Sequence, residues 1–163
     1  MFPDDIEALA RQVIEAASAR GLMVAAAESC TGGLVSAALT SVAGSSAVVE
    51  RGFVTYSNAA KTGLLGVPAA MIERHGAVSE AVARAMAEGA LSHSAAQVSV
   101  AVTGIAGPGG GSPDKPVGLV HFAASGPTGL IHVERRFGDI GREEVRLASL
   151  RVALDLLLDR IGA

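Results

Sequence analysis

Two short segments of the 163-residue chain, residues 22–27 and 98–105, consist of apolar and small side chains and contain no charged residue. A strand that is apolar on both of its faces belongs in the middle of a sheet that is covered on both sides. Each segment runs into a stretch that contains glycines, where the chain leaves the sheet. The two segments therefore predict a layered α/β domain with buried central strands.

The rest of the chain alternates between helical and extended patterns. Helical spacing of apolar residues predicts helices over residues 4–20, 34–42, 58–65, 67–75, 79–92 and 142–161. Further strands are predicted over residues 48–57, 117–124 and 130–137, the last two forming an antiparallel hairpin. Residues 1–163 are therefore expected to form one α/β domain with a mixed sheet. The closing helix has a wide apolar stripe that could cover the sheet and also meet a partner subunit, so we expect a homo-oligomer. A fully buried single helix would explain the stripe as well.

Composition narrows the possible function classes. Hydrophobic residues make up 50% and charged residues 18% of the chain, which is typical of a globular protein. No apolar run approaches the roughly 18 residues that cross a bilayer, and the acidic N-terminus is unlike a signal peptide. A single cysteine fits a reducing compartment, so we expect a cytoplasmic protein with no membrane partner. The net charge of −3 and 3% aromatic content disfavour nucleic-acid binding.

Residues 27–33, Ala-Glu-Ser-Cys-Thr-Gly-Gly, lie between the first apolar segment and a predicted helix. Unpaired N–H groups at a helix start favour negative charge, either a phosphate or a developing oxyanion. Hydroxyl and thiol side chains at the same turn could supply a nucleophile. The alternative is an ordinary Ser or Thr helix cap with glycines for close packing.

Ser29 is a weak nucleophile unless a base accompanies it. Lys61 is the better base candidate, because a cap at Ser57 or at the residue after it would place this lysine in the first turn of a helix. The positive end of the helix dipole and burial would both favour the neutral amine. Tyr56, the only tyrosine, is near enough in sequence to orient Lys61 or relay a proton. The four histidines have no motif-like setting: His75, His93, His121 and His132.

Two alternatives stay open at this site. Lys61 could face solvent, with Tyr56 an ordinary strand residue. Cys30 could itself be the nucleophile, since a helix N-terminus lowers a thiol pKa, although a small buried structural cysteine is more common.

The glycine-rich loop at residues 104–111 has bare N–H groups that could approach a phosphate or a sugar, but it matches neither a Walker loop nor a dinucleotide fingerprint. Lys115 and Arg142 could add positive charge. Ligands gather at the carboxyl ends of strands in open α/β sheets, so residues 28–33, 56–61 and 104–111 could share one site. No His, Cys, Asp and Glu residues lie at metal-ligand spacing, so no metal is expected.

Four sequence blocks, taken together, resemble the CinA C-terminal domain family. They are AESCTGG at 27–33, GFVTYSN at 52–58 with Lys61, GAVSE at 76–80, and TGIAGP at 103–108 with KPVG at 115–118. Characterised members of this family are nicotinamide-nucleotide amidohydrolases. The resemblance implies a three-layer α/β/α fold and hydrolysis of the carboxamide of nicotinamide mononucleotide to nicotinic acid mononucleotide and ammonia. Some members carry an additional N-terminal domain, and this chain is expected to be the stand-alone form.

The resemblance also assigns roles. Ser29 matches the nucleophile, Lys61 the family lysine and Tyr56 the family tyrosine, and neither a metal nor an organic cofactor is required. One departure is that many relatives have Gly-Asp-Arg before the last helix, where this chain has Ile-Gly-Arg ending at Arg142. Oxyanion and substrate contacts are expected from Cys30, Thr31, Gly32, Gly33, Thr103, Gly104, Gly107 and Arg142.

Two other functions remain possible on the sequence. The chain could be a nucleotide-binding or regulatory module without catalysis, as the family's historical link to competence and DNA damage suggests. It could also hydrolyse the amide of a different small substrate.

Overall fold

The computed structural model describes residues 1–162 and contains a five-stranded sheet with helices on both faces. The helices are α1 (Asp4–Ala19), α2 (Leu34–Thr40), α3 (Asn58–Leu65), α4 (Ala69–His75), α5 (Glu80–Ser92) and α6 (Arg142–Ile161). The strands are β1 (Val24–Glu28), β2 (Val49–Val54), β3 (Val98–Gly104), β4 (Leu119–Gly126) and β5 (Gly129–Arg136), with a short 3₁₀ turn at Ser45–Ala47. This architecture confirms the α/β prediction and agrees with a three-layer α/β/α sandwich.

The strand order is β2-β1-β3-β4-β5. Strand β1 pairs in parallel with both β2 and β3, whereas β3–β4 and β4–β5 are antiparallel. The sheet is therefore mixed, as predicted. Because β2, β1 and β3 are parallel neighbours, their carboxyl ends lie at the same edge of the sheet.

The two faces of the sheet pack against different helices. Side chains of β1 alternate, so that Val24 and Ala26 join the core beneath α1, α2 and α6, while Ala25 and Ala27 join the core beneath α3, α4 and α5. Every residue of β1 is buried, including Glu28. The continuous apolar pattern that predicted a doubly covered strand is thus explained by two separate cores.

Close backbone packing accounts for Gly52 in β2. A Cβ atom at this position would lie 2.3 Å from the Oγ atom of Ser36 in α2, so only glycine fits without a shift. A glycine inside a strand is typical of a bulge or of a close approach to the backbone, and here Ser36 makes the close approach.

The hairpin is tighter than predicted. Strands β4 and β5 are joined by residues 127–128 alone, because Gly126 pairs directly with Gly129 and the latter has a φ of +111°. The predicted five-residue loop was wrong, since both of its glycines belong to the strands. Strand β2 is also shorter than predicted: it ends at Val54, because Ser57 caps α3 by accepting a hydrogen bond from the Ala60 N–H at 3.0 Å.

None of the helices formed by residues 1–162 has the length and apolar content that crossing a bilayer requires.

Candidate active site

The turns that follow β1, β2 and β3 meet in one cleft of about 260 Å³ at the carboxyl edge of the sheet. The sequence predicted that these three loop clusters could share a site, and the strand order brings them together. Of the predicted site residues, those that line the cleft are Ser29, Cys30, Tyr56, Lys61, Thr103, Gly104, Gly107 and Arg142.

Lys61 and Ser29 are in direct contact. The Lys61 Nζ atom lies 3.1 Å from Ser29 Oγ and donates a hydrogen bond to the Thr55 carbonyl oxygen at 2.9 Å. The Ser57 cap makes residue 58 the first of α3, so Lys61 is in the first turn, as predicted. Its side chain points inward, and the residue is only 1% exposed. A solvent-facing Lys61 is thereby excluded.

Burial lowers the pKa of the Lys61 ammonium below its ordinary value, because a charged group loses hydration inside the protein. The proximity of the Cys30 sulfur acts in the opposite direction and is the smaller effect on this pKa. The site therefore favours a neutral amine beside the Ser29 hydroxyl.

Glu28 anchors the turn that carries Ser29, a role that the sequence analysis did not predict. The fully buried carboxylate accepts hydrogen bonds from the Val35 N–H at 2.8 Å, the Ser36 N–H at 3.0 Å and the Ser36 hydroxyl at 2.9 Å. It thus pairs N–H groups at the start of α2 that would otherwise lack acceptors. An acid placed just before a predicted helix start was the available signal.

Arg146 of α6 holds the same turn from another side and was also missed. Its Nε donates to the Cys30 carbonyl oxygen at 3.1 Å, and its Nη2 donates to the Thr31 carbonyl oxygen at 3.2 Å. These contacts span more than a hundred residues of sequence, so no local pattern could indicate them.

The Cys30 side chain is buried, with 6% of the residue exposed. Burial raises the pKa of its thiol to about 12, so the thiol is not ionised near neutral pH. A position before a helix N-terminus would lower the pKa of the Cys30 thiol, but burial raises this pKa by more. This arrangement favours Ser29 as the nucleophile.

Three predicted substrate contacts do not line the cleft: Thr31, Gly32 and Gly33. The Thr31 side chain is fully buried, and the Gly32 N–H donates to the Ser29 carbonyl oxygen at 3.0 Å. Gly33 has a φ of +105° and leads into α2. The two glycines shape the turn, and the Gly32 N–H is already engaged.

Tyr56 is linked to Arg142 and not to Lys61. The Tyr56 hydroxyl accepts a hydrogen bond from Arg142 Nη2 at 2.8 Å, and Arg142 Nη1 donates to the Gly107 carbonyl oxygen at 2.8 Å. The guanidinium thus connects the loop after β2 to the loop after β3. These two acceptors set the orientation of the guanidinium. The residue before Arg142 is a glycine in this chain, where many members of the resembled family have an aspartate.

Thr103 and Gly104 complete the wall formed by β3. The Thr103 hydroxyl donates to the Ala77 carbonyl oxygen at 2.9 Å, and a Cβ at Gly104 would lie 2.6 Å from a Val120 methyl group.

Lys115 is outside this cleft, because its Nζ donates to the His75 carbonyl oxygen at 2.6 Å. The predicted contribution of Lys115 to the charge of the site is wrong.

Comparison with known proteins decides the family. The family model described as CinA C-terminal domain matches residues 6–161. The chain belongs to the CinA C-terminal domain family.

Solved structures of the CinA family share this fold closely. The competence/damage inducible protein CihA from Agrobacterium tumefaciens has a TM-score of 0.97 and 57% sequence identity, with 100% of this chain and 99% of that chain covered. A competence-damaged protein (CinA) superfamily protein from Escherichia coli has a TM-score of 0.90 and 37% identity, with 97% and 92% covered.

Curated CinA-like proteins are longer than the matched region. The CinA-like protein of Synechococcus sp. (strain RCC307) is 53% identical over 157 residues, which cover 96% of this chain and 38% of that protein. A CinA-like protein of Anaeromyxobacter dehalogenans (strain 2CP-C) is 52% identical over 158 residues, with the same coverage. The chain therefore spans 38% of the length of these curated relatives.

Residues 1–162 of this CinA family member offer no candidate metal centre. Among the residues that the structure describes, no three His, Cys, Asp or Glu side chains are grouped so as to hold an ion. Two of the histidines, His121 and His132, bond to each other at 2.9 Å between ring nitrogens, outside the cleft.

Proposed function

We propose that this chain is an amidohydrolase that converts nicotinamide mononucleotide to nicotinic acid mononucleotide and ammonia. The observation that carries the proposal is the 3.1 Å contact between the buried Lys61 amine and the Ser29 hydroxyl. A hydroxyl with an adjacent neutral amine is an activated nucleophile, because the amine can accept the proton during attack. We infer the identity of the substrate from the resemblance to amidohydrolases of the CinA family.

The Lys61 contacts suit a general base. A neutral amine can donate one N–H to the Thr55 carbonyl oxygen and keep its lone pair directed at the Ser29 hydroxyl. In the proposed first step, Ser29 Oγ forms a bond to the carboxamide carbon while its proton passes to Lys61 Nζ. Because burial lowers the pKa of Lys61, a larger fraction of the amine is neutral and able to accept the proton than in a solvent-exposed lysine.

A backbone N–H group of the turn is proposed to stabilise the oxyanion. In the described part of the chain, the N–H groups of Cys30 and Thr31 have no protein acceptor, whereas the Gly32 N–H is bonded to Ser29. The oxyanion donor is therefore assigned to Cys30, because Cys30 lines the cleft, whereas Thr31 is fully buried and does not line it. A well-placed donor of this kind contributes roughly 3–4 kcal/mol to the transition state.

Collapse of the tetrahedral intermediate breaks the carbon–nitrogen bond. Lys61 returns its proton to the leaving nitrogen, which departs as ammonia and leaves an ester on Ser29. Water then attacks the ester carbon, giving one proton to Lys61, and the Ser29 oxygen recovers that proton as the acid product leaves. Each step conserves protons without an additional reagent.

Arg142 is proposed to bind the anionic part of the nucleotide, with Thr103 and the loop at residues 104–111 contacting the ribose. The Tyr56 hydroxyl holds the guanidinium in place through its 2.8 Å bond. Tyr56 is thus proposed to assist mainly through Arg142, because its hydroxyl bonds to that guanidinium. Cytoplasmic location and assembly into a homo-oligomer are further proposals, carried over from composition and from the apolar stripe of α6.

The experiment that tests this proposal is ammonia release from nicotinamide mononucleotide by the wild type and by Ser29→Ala, Lys61→Ala and Cys30→Ala. We expect the first two variants to lose turnover and the third to retain it. Loss of turnover in Cys30→Ala alone would contradict the nucleophile assignment.

A second function is suggested by the names of the relatives, which refer to competence and damage. In that case the same cleft would hold a nucleotide without changing it. Calorimetry distinguishes the two: a binding module would retain the nucleotide tightly and unaltered. Turnover of other carboxamides without preference for the phosphate would instead indicate an amidase of broader substrate range.

A further inference from the structure

Three successive carbonyl oxygens between α4 and α5 each accept a hydrogen bond from a side chain. The acceptors and donors are His75 with the Lys115 amine at 2.6 Å, Gly76 with the Ser79 hydroxyl at 2.8 Å, and Ala77 with the Thr103 hydroxyl at 2.9 Å. The donors come from the loop after β3, from the cap of α5 and from β3 itself. Side chains from three places therefore fix the backbone of residues 75–77.

The segment held in this way separates two cavities. Ala77 and Val78 line the cleft that contains Ser29. Val78 also lines a second cavity of about 490 Å³, together with His75 and Lys115. Because the segment has open volume on both sides, packing alone does not keep it in place. The position of this wall of the cleft therefore depends on its hydrogen bonds.

The bond from Lys115 is the strongest of the three, because its donor is an ammonium group. Its acceptor, the His75 carbonyl, belongs to the last residue of α4, where a carbonyl has no partner inside the helix and the helix dipole favours a cation. A Cβ atom at Gly76 would lie 2.7 Å from Lys115 Nζ, so glycine at this position leaves room for the amine. Lys115 is therefore the donor whose removal should release the segment most.

Lys115 is itself fixed by the loop that carries it. The Ser112 N–H donates to the Lys115 carbonyl oxygen at 2.8 Å, and the Lys115 N–H donates to Ser112 Oγ at 3.1 Å. The base of the loop is closed by the Gly118 N–H, which donates to the Ile105 carbonyl oxygen at 2.8 Å. Residues 105–107 of the same loop line the cleft. The Lys115 side chain thus joins two walls of the cleft.

From these contacts we infer that Lys115 is a positioning residue: its bond to the His75 carbonyl holds the wall formed by Ala77 and Val78, and thereby sets how tightly the cleft binds its ligand. The inference rests on the proposed function for the identity of that ligand, nicotinamide mononucleotide. Lys115 does not line the cleft, so it acts through the wall. The contact between Lys61 and Ser29 does not involve this segment, so binding should weaken and the chemical step should not.

The test compares Lys115→Met with Arg74→Met in the full chain. Arg74 is a matched control: it is exposed in the last turn of α4, directly before His75, so its replacement removes one positive charge from the same region. For Lys115→Met we expect KM to rise about 10-fold while kcat stays within about threefold of wild type, the pattern of lost ground-state binding. Arg74→Met should keep both values. A wild-type KM in Lys115→Met, or a fall in kcat alone, would overturn the inference.

Chemical rescue separates positioning from simple destabilisation. Lys115 borders the cavity of about 490 Å³, so a small cation can reach the place that its side chain leaves in Lys115→Ala. We expect millimolar ethylammonium chloride to lower the KM of Lys115→Ala, because its N–H groups can donate to the His75 carbonyl. Tetramethylammonium, which has no N–H, should have no effect. The inference fails if ethylammonium does not lower the KM of a Lys115→Ala protein whose melting temperature equals that of Arg74→Met.

Two further readouts make the test independent of turnover. Calorimetry should show that nicotinamide mononucleotide binds about 10-fold more weakly to Ser29→Ala/Lys115→Met than to Ser29→Ala. If the wild type binds the nucleotide without hydrolysing it and Lys115→Met still weakens binding, the proposed reaction fails and the inference stands. Hydrogen exchange over residues 76–79 needs no ligand and should be faster in Lys115→Met than in Arg74→Met. Equal exchange in these two variants would overturn the inference whatever the ligand.

Discussion

The Nζ atom of Lys61 lies 3.1 Å from Ser29 Oγ, although 32 residues separate the two in sequence. In the described part of the chain no carboxylate forms a salt bridge with this lysine. The amine is therefore buried without a counter-charge, which is the arrangement that favours its neutral form.

The pH dependence of catalysis follows from this contact. Since only the neutral amine can accept the Ser29 proton, kcat/KM should rise with pH as Lys61 loses its proton and then level off. Burial lowers the Lys61 pKa, so the midpoint of this rise should lie below the ordinary lysine value of 10.5. The measurement is the pH–rate profile of the wild type. Lys61→Arg, which stays charged, should be inactive throughout, and turnover by Lys61→Arg at the wild-type rate would exclude Lys61 as the base.

Cys30 should prove dispensable for turnover. Its thiol is buried and its pKa is raised to about 12, so it lacks the thiolate needed for attack. We expect Cys30→Ala to keep kcat within a few-fold of wild type, whereas Ser29→Ala should lose at least about 10³-fold. The native thiol should also resist iodoacetamide at pH 8 and react once the protein is unfolded in urea. Rapid alkylation of the native protein together with loss of turnover would contradict this assignment.

Two buried threonines should differ in their contribution to stability. The Thr55 hydroxyl is buried without a hydrogen-bond partner, whereas the Thr103 hydroxyl donates to the Ala77 carbonyl oxygen at 2.9 Å. Thr103→Val should therefore lower the free energy of unfolding by about 1–3 kcal/mol, since it leaves a carbonyl unpaired. Thr55→Val should stay within about 0.5 kcal/mol of wild type or be more stable. Urea denaturation checks both, and an equal loss in the two variants would contradict the assignment of partners.

The histidine pair should make the fold sensitive to mild acid. Burial lowers the pKa of both His121 and His132, and the neighbouring His132 lowers that of His121 further. The carboxylates of Glu80 and Glu134 raise both pKa values, but by less than burial lowers them. A lowered pKa means that the unfolded chain binds the proton more readily. The free energy of unfolding should be unaffected by these groups well above pH 6.5 and should decrease as the pH falls below that value. Urea denaturation between pH 7.5 and 5 measures this.

His132→Gln is the control for this pH effect, because an amide can still bond to the His121 ring but does not titrate in this range. It should reduce the loss of stability between pH 7.5 and 5. If wild type and His132→Gln have the same pH dependence, the histidine pair is not responsible for the acid sensitivity.

The sequence predicted the parts of the site that depend on local pattern. A cap just before α3 placed Lys61 in the first helical turn, and this could be inferred because the cap and the lysine are four residues apart. The same reasoning identified the two buried strands whose carboxyl ends meet. Strand order itself was not predictable, because it depends on which apolar surfaces pack together across the whole chain.

The contacts that hold the site were beyond prediction for the same reason. Arg146 reaches Cys30 across 116 residues, and the Tyr56–Arg142 bond spans 86 residues. Both join α6 to the loops that follow β1 and β2, and no spacing rule connects such positions. Glu28 is different, since its acceptor role is local and an acid before a helix start was a usable signal.

The most direct test of the account is to look for the ester on Ser29. Wild-type protein is mixed with excess nicotinamide mononucleotide, quenched with acid at times within the first turnover, digested and analysed by peptide mass spectrometry. We predict a transient adduct, equal to the substrate less ammonia, on the peptide that contains Ser29, and its absence in Ser29→Ala and Lys61→Ala. An adduct on Cys30, or ammonia release by Ser29→Ala at the wild-type rate, would contradict the claim that Lys61 activates Ser29 as the nucleophile.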